Sequence, residues 1–97
     1  MNLNSLDIEK EIKDIKDNSK YSRPVFEYTH GKCYEFAKEL RSRLGGEIVY
    51  LVNIEHALLK INNKLYDVTG NVSKVYIGEK EITEEDMLKK YKCFREV

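Results

Sequence analysis

Two β-type runs separated by only two residues constrain the fold of this chain more than any other feature. HALLKI begins at residue 56 and KLYDV begins at residue 64, with Asn62 and Asn63 between them. Two turn-forming residues between β-type runs are a recognised hairpin loop, and asparagine tolerates the positive φ that such a turn needs. We therefore predict a β-hairpin over residues 56–69.

A continuous apolar run precedes the hairpin. EIVYLVN occupies residues 47–53, and a run of this kind is typical of a strand that is covered on both faces. We predict that this strand lies centrally in the sheet. SKVYI at residues 73–77, which Gly78 ends, predicts one more strand. Together these runs predict a small, mainly antiparallel sheet.

Helical periodicity lies on either side of these strands. Apolar residues recur at mostly helical spacing near the N-terminus, which predicts a helix over residues 5–18. A second helix over 32–44 has one apolar face and stops at a pair of glycines. Thr83 followed by Asp86 resembles a capping box, so we predict a short helix over 83–91.

The remaining segment and the chain length complete the fold prediction. Pro24 forbids a continuing helix, which indicates a loop over residues 19–31. Ninety-seven residues are the usual size of one cooperative core, so we predict a single domain over 1–97. Helices followed by a mainly antiparallel sheet and a last short helix define an α+β fold.

The charge balance bears on the partners. The chain has 17 basic and 17 acidic side chains, interspersed along its length. A nucleic-acid surface normally has a strong positive excess or a clustered basic face. We therefore expect a protein, a peptide or a small molecule as partner or substrate, and no nucleic acid.

The absence of long apolar runs bears on localisation. The N-terminal stretch has no apolar segment after a basic end, so no signal peptide is expected. No run approaches the roughly 18 apolar residues that a membrane-spanning helix requires, so no membrane association is expected. We predict a cytoplasmic protein, in the host cytoplasm if a phage encodes it.

Cys33 begins the second predicted helix. Unpaired amides and the positive end of the helix dipole lower the pKa of a thiol at a helix N-terminus, and the thiolate is the nucleophilic form. A cysteine on the apolar face of a helix is also a common core residue. Cys93, beside Phe94, is expected to pack in this way. Cys33 is therefore a candidate nucleophile whose role depends on its neighbours.

The predicted hairpin register places a carboxylate beside a histidine. With a two-residue loop, Leu58 faces Asp67 and His56 faces Thr69, so Asp67 is diagonal to His56 on one face of the sheet. A carboxylate there can hold one imidazole nitrogen and leave the other to take a thiol proton. Taken singly, His56 would be a polar residue at a strand edge, and Asp67 a turn-capping acid before Gly70.

The string GKCYEFAKEL, a strand, and HALLKINNKLYDVTG together resemble the core of the papain-like cysteine hydrolases in the broad sense. That class includes the NlpC/P60 peptidases and the transglutaminase-like proteins. The resemblance covers about residues 30–70. It implies a small core of that kind in which Cys33 is the nucleophile, His56 the general base and then acid, and Asp67 the orienting group.

Several features depart from that pattern. Papain uses a glutamine in its oxyanion hole, but this chain contains none. The Cys33 amide is expected to serve as one donor, with a second from the Tyr28–Gly31 backbone or from the side chain of Tyr28 or His30. His30 is also a rival base for Cys33, although we expect it to be accessory or structural. The chain also lacks the second lobe that builds a peptide cleft in papain enzymes. No Cys-x-x-Cys spacing links His30, Cys33, His56 and Cys93, so no metal site is predicted.

Two main functional hypotheses result. The first is a thiol hydrolase or acyl transferase, of the thiol protease or transglutaminase kind, that attacks an amide, ester or isopeptide carbonyl through a Cys33 thioester without a cofactor. The second is a non-catalytic binding or inhibitory protein, since a Lys-, Asn-, Ile- and Glu-rich composition suits an accessory protein of a phage or mobile element. A toxin or effector with the same triad is a third. A solvent-open triad favours the enzyme, and burial of Cys33 under loop 19–30 favours the binder.

Overall fold

A computed structural model describes residues 4–94 of the chain, except the side chains of Ser5 and Cys93. N-terminal helices pack on a five-stranded antiparallel sheet, and a short helix follows it, which confirms the predicted α+β class. In chain order the elements are α1 (Ser5–Asp17), α2 (Pro24–Thr29), α3 (Cys33–Leu44), β1 (Glu47–Leu51), β2 (His56–Ile61), β3 (Lys64–Asp67), β4 (Gly70–Asn71), β5 (Glu81–Thr83) and α4 (Glu84–Lys90), then a 3-10 turn over Lys92–Phe94.

The hairpin between β2 and β3 has the two-residue loop that its sequence predicts. Asn62 and Asn63 have φ angles of 52° and 66°, the positive values that a type I′ turn requires at both central positions. Leu59 is paired with Tyr66, and this register fixes which side chains of the two strands share a face. The order of the strands across the sheet is β4-β3-β2-β1-β5.

The two faces of the sheet are covered differently. On one face, buried side chains of α1 and α3, including Ile8, Ile12 and Leu40, form the main core with those of the strands. The other face has a second apolar cluster, made of Val49, Leu51, Leu58, Leu65 and Val72, and Tyr76 packs against it. This second face is thus covered in part by the irregular segment 72–79 that carries Tyr76.

The structure differs from the sequence-based prediction in segment 19–31, where it has the helix α2. Pro24 is the first residue of α2. Proline is tolerated there because its missing N–H would have no helical partner in any case. The proline therefore begins a helix in a segment that we had predicted as irregular throughout.

The strand predicted over residues 73–77 is also wrong. These residues form turns, in which the Val75 and Tyr76 amides donate to the Val72 carbonyl. The Ser73 hydroxyl accepts a hydrogen bond from the Leu65 amide at the edge of β3, where a paired strand would otherwise bind. The next strand is instead β5, which pairs with β1. Strand β1 itself ends at residue 51, two residues before the predicted end.

Helix α4 is attached to α3 by charged and polar contacts. Thr83 caps α4 by accepting a hydrogen bond from the Asp86 amide, as the sequence indicates. Glu84 then accepts hydrogen bonds from the Tyr34 hydroxyl and from Arg41, both on α3. None of the helices within residues 4–94 is long and apolar enough to cross a membrane.

Candidate functional site

The three residues singled out in the sequence lie at the ends of three elements. Cys33 is the first residue of α3, His56 the first of β2 and Asp67 the last of β3. His56 and Asp67 are joined by a hydrogen bond of 3.0 Å between Nε2 and Oδ2. The exposed fractions of Cys33, His56 and Asp67 are only 6%, 6% and 3%. We call this set the buried array.

The hairpin register brings His56 and Asp67 together. Because Leu59 is paired with Tyr66, Leu58 lies opposite Asp67, and His56 is two residues from Leu58 on the same face. Asp67 is therefore diagonal to His56, and an imidazole and a carboxylate can bridge a diagonal pair.

Asp67 also holds the turn that follows β3. Its Oδ1 accepts hydrogen bonds from the Thr69 amide at 2.8 Å and from the Thr69 hydroxyl at 2.5 Å. The turn-capping role that the sequence allowed for Asp67 is therefore present beside its contact with His56. One carboxylate oxygen fixes the turn, and the other fixes the imidazole.

Cys33 is held against the start of β2. Its Sγ accepts a hydrogen bond of 3.4 Å from the Ala57 amide, the residue that follows His56. Burial by itself raises the pKa of the Cys33 thiol, but the hydrogen bonds from His56 and Ala57 outweigh it and leave the pKa below 9.0. A donor that points at a thiolate stabilises the charged form.

The protonation of His56 responds to the same neighbours. Burial lowers its pKa, but hydrogen bonds to Asp67 and Cys33 and their negative charges raise it to about 9. The pKa of Asp67 is below its usual value, since hydrogen bonds from His56 and Thr69 outweigh the effect of burial. These directions favour the charged forms of all three groups, an imidazolium beside a thiolate and a carboxylate, more than the isolated groups would. Because Nε2 faces Asp67, Nδ1 is the nitrogen left to exchange a proton with the thiol.

A shallow depression touches the array at one place. It has a volume of about 230 Å³ and is lined by Thr29, Ile54, His56 and Tyr76. The Tyr76 ring meets the His56 ring edge to face, with 5.9 Å between their centroids. The array thus reaches the surface beside one tyrosine and one isoleucine.

Exposed apolar residues lie on the segments that line this depression. Val25 and Phe26 belong to α2, whose last residue is Thr29; Ile54 lines the depression itself; Val75 and Ile77 flank Tyr76 in the chain. We call these five residues the apolar rim. Large apolar side chains that are exposed together mark surfaces that bind other molecules.

Tyr28 and His30, the predicted oxyanion or accessory residues, make their side-chain contacts within segment 19–36. Tyr28 is buried in the helical layer, its hydroxyl bonds Ser19, and its ring packs on Tyr21 and Phe36. His30 is exposed, and its Nδ1 lies near the Phe26 carbonyl while its ring stacks on that of Phe26. None of these contacts is with Cys33.

Two contributors to the site were not found from the sequence. The Ala57 amide, which donates to Cys33, has no residue-type signal, because any residue other than proline would supply it. Tyr76 belongs to SKVYI, which was interpreted as a strand, and its place beside His56 follows only from the turns. Among the described residues, no group of three His, Cys, Asp or Glu side chains could hold a metal ion.

The fold and the array define a class of protein, a small α+β domain in which a buried imidazole is hydrogen-bonded to a carboxylate and a buried thiol accepts a hydrogen bond from the next residue's amide. A family model described as Phage YunG-like protein matches residues 8–95. The chain therefore belongs to the Phage YunG-like family. No curated protein and no solved structure matches the chain.

This finding corrects the resemblance drawn from the sequence. The family model that matches is the Phage YunG-like one, not a family of papain-like, NlpC/P60 or transglutaminase-like cysteine hydrolases. The labels hydrolase, thiol protease and catalytic triad came with that resemblance and are wrong with it, since the matched family is another one and its description names no enzyme activity. What the geometry establishes is a buried array in which His56 is hydrogen-bonded to Asp67 and Cys33 accepts a hydrogen bond from the Ala57 amide.

Proposed function

We propose that this protein is a phage accessory protein that binds a protein or peptide partner in the cytoplasm of the host cell. The observation that carries this proposal is the burial of the array, which leaves Cys33, His56 and Asp67 almost without contact with solvent. A satisfied polar network in a protein interior rigidifies the fold and specifies one arrangement of it. The membership of the Phage YunG-like family agrees with an accessory role.

The net charge and the exposed apolar residues support a protein or peptide as the partner. The equal numbers of acidic and basic side chains give no electrostatic attraction to a nucleic acid. The apolar rim exposes Ile54, which lines the depression, and Val75 and Ile77, which flank the lining residue Tyr76 in the chain. Apolar and aromatic anchors that fill such depressions supply most of the free energy of binding in protein interfaces.

Plaque formation by a phage that carries variants of the gene tests this proposal. Cys33→Ala should retain the biological effect, because it removes only the reactive atom. Ile77→Asp should lose it, because a charge then lies in the apolar rim. Leu6→Asp is the matched control, since Leu6 is also an exposed large apolar residue but lies on α1.

Circular dichroism and urea denaturation establish which variants fold. Loss of the effect in a folded Cys33→Ala protein would overturn the binding proposal. If Ile77→Asp and Leu6→Asp gave the same result in plaque formation, the apolar rim would not be the contact surface.

The electrostatics of the array favour a second candidate function, acyl transfer through Cys33. In this reaction the Cys33 thiolate attacks an amide, ester or isopeptide carbonyl, and His56 gives its proton to the departing group. The acyl group, now a thioester on Cys33, then passes to an amine, whose proton returns to His56, and the thiolate is restored. The lowered pKa of Cys33 and the raised pKa of His56 support this candidate.

The pH dependence of alkylation tests the second candidate. A thiol with the ordinary pKa of about 8.5 is thiolate in only about three molecules in a thousand at pH 6. The rate at which iodoacetamide labels Cys33, divided by its plateau at high pH, should exceed that fraction at pH 6. His56→Ala should return the profile toward that of an ordinary thiol. A wild-type profile centred at about pH 8.5 or above would remove the support for acyl transfer.

A further inference from the structure

We propose that Tyr76 is a specificity-determining residue that limits the width of the molecules able to reach Cys33. This inference rests on the second candidate function, in which Cys33 is reactive. It concerns the depression beside His56 and assigns to it the passage of a slender, unbranched acyl group.

The depression is the place where the array meets the surface, and we infer that it is the route to the thiol. Cys33 itself is almost fully buried, and its Sγ is held by the Ala57 amide. Of the three array residues, His56 is the one that lines the depression. A molecule that enters there meets the imidazole first, and the imidazole is the neighbour of the thiol.

Tyr76 narrows this route from one side. Its ring lies edge to face with that of His56 and is half-buried, because it also packs against the apolar cluster on the second face of the sheet. The turn that carries it is fixed by the Tyr76 amide, which donates to the Val72 carbonyl, and by the contact of Ser73 with Leu65. The ring is therefore held in place by its own segment.

The size of the depression agrees with a narrow route. Its volume of about 230 Å³ lies below the roughly 300–1,000 Å³ of pockets that enclose drug-sized ligands. Ile54 and the two aromatic rings give the depression apolar surface, while Thr29 and the polar atoms of His56 and Tyr76 give it hydrogen-bonding groups. A small depression with both kinds of group suits a slender chain that carries a carbonyl at its end.

Two alkylating reagents of the same chemistry and different width test the inference. Iodoacetamide and a fluorescein-bearing iodoacetamide both lose iodide as the Cys33 thiolate forms a sulfur–carbon bond. The rates at Cys33 are followed by peptide mass spectrometry, and each is divided by the rate for the urea-unfolded chain. The wild-type protein should favour the small reagent by about tenfold or more, which corresponds to about 1.4 kcal/mol of activation free energy.

Three variants test whether the Tyr76 ring causes the preference for the small reagent. Tyr76→Ala should reduce this preference sharply by accelerating the bulky reagent, whereas Tyr76→Phe, which keeps the ring, should retain it. Tyr91→Ala is the matched control, since Tyr91 is also a partly buried tyrosine, but its ring packs on Tyr50 and Phe94. It should leave the preference unchanged.

The urea dependence of labelling separates local access from unfolding. Labelling through the depression should depend weakly on dilute urea, whereas labelling through global unfolding depends on it as steeply as stability does. If iodoacetamide does not label folded Cys33 at all, the proposed reactivity fails. If it does label Cys33 but Tyr76→Ala keeps the wild-type preference, or Tyr91→Ala also abolishes it, Cys33 remains reactive and the role of Tyr76 is overturned.

Discussion

Replacing Asp67 tests how much the hydrogen bonds of the array contribute to the free energy of unfolding. Asp67→Ala removes its hydrogen bonds to His56 and Thr69 and leaves a buried imidazole without its carboxylate. Removing one partner of a buried ion pair costs about 3–5 kcal/mol. Since a chain of this size has a free energy of unfolding of about 5–15 kcal/mol, the loss is a large share of it.

Asp67→Asn should cost much less. Its amide oxygen can still accept both hydrogen bonds from Thr69, while its NH₂ group faces Nε2 of His56. A charge-assisted hydrogen bond is then replaced by a neutral one, a difference of about 1 kcal/mol. The imidazole must also adopt the other tautomer, so the imidazolium is lost.

Urea denaturation followed by circular dichroism measures both effects. With a slope of about 1.5 kcal/mol per molar urea, a loss of about 4 kcal/mol lowers the midpoint by about 2.7 M, and a loss of about 1 kcal/mol lowers it by about 0.7 M. Asp17→Ala, which removes only an exposed ion pair with Lys13, is the control and should change little.

The pH dependence of stability gives a second measurement. Because the folded-state pKa of Asp67 is lowered, its contribution is present above the unfolded value near 3.8 and is lost as pH falls through the folded value. Asp67→Ala should therefore lose part of the acid sensitivity of the wild-type protein. Equal midpoints for Asp67→Ala and Asp67→Asn, or an unchanged acid profile, would refute the assigned hydrogen bonds.

Two further predictions concern the histidine and a glycine. In Cys33→Ala, the pKa of His56 should fall below about 9, because a hydrogen bond and a negative charge that raise it are gone. NMR measures this pKa. An unchanged value would mean that the thiol and the imidazole do not interact. Gly46→Ala should be more destabilising in urea than Gly45→Ala, since a Cβ on Gly46 would lie 2.7 Å from the Lys60 carbonyl oxygen, whereas one on Gly45 meets nothing within 4 Å. Both glycines have positive φ, so equal losses would show that close approach does not matter.

The meeting of His56 with Asp67 could be predicted from the sequence because it depends on local register. Asn62 and Asn63 fix a two-residue loop, and the two-residue period of a strand then decides which side chains share a face. The start of α3 at Cys33 was also predictable, within one residue, from its apolar face. These features could be predicted because they depend only on residues that are close together in the chain.

Other features depend on tertiary contacts, which the sequence pattern does not contain. SKVYI has the composition of a strand, yet Tyr76 packs on the second face of the sheet and Ser73 occupies the edge of β3. Residues 81–83 pair with β1 instead of SKVYI. This run is too short and too polar to be recognised as a strand from the sequence. Propensity is a weak guide wherever such packing decides the backbone.

The spacing of the array in the chain has a consequence for the order in which it assembles. His56 and Asp67 are 11 residues apart on one hairpin, while the contact of Cys33 with Ala57 spans 24 residues and requires α3 to dock on the sheet. Hairpins form in about 1–10 μs, earlier than the packing of distant elements. The imidazole should therefore meet its carboxylate first and acquire the thiol only when the helix arrives. The ionisation of Cys33 would then show that α3 has packed on the sheet, the last step in forming the array.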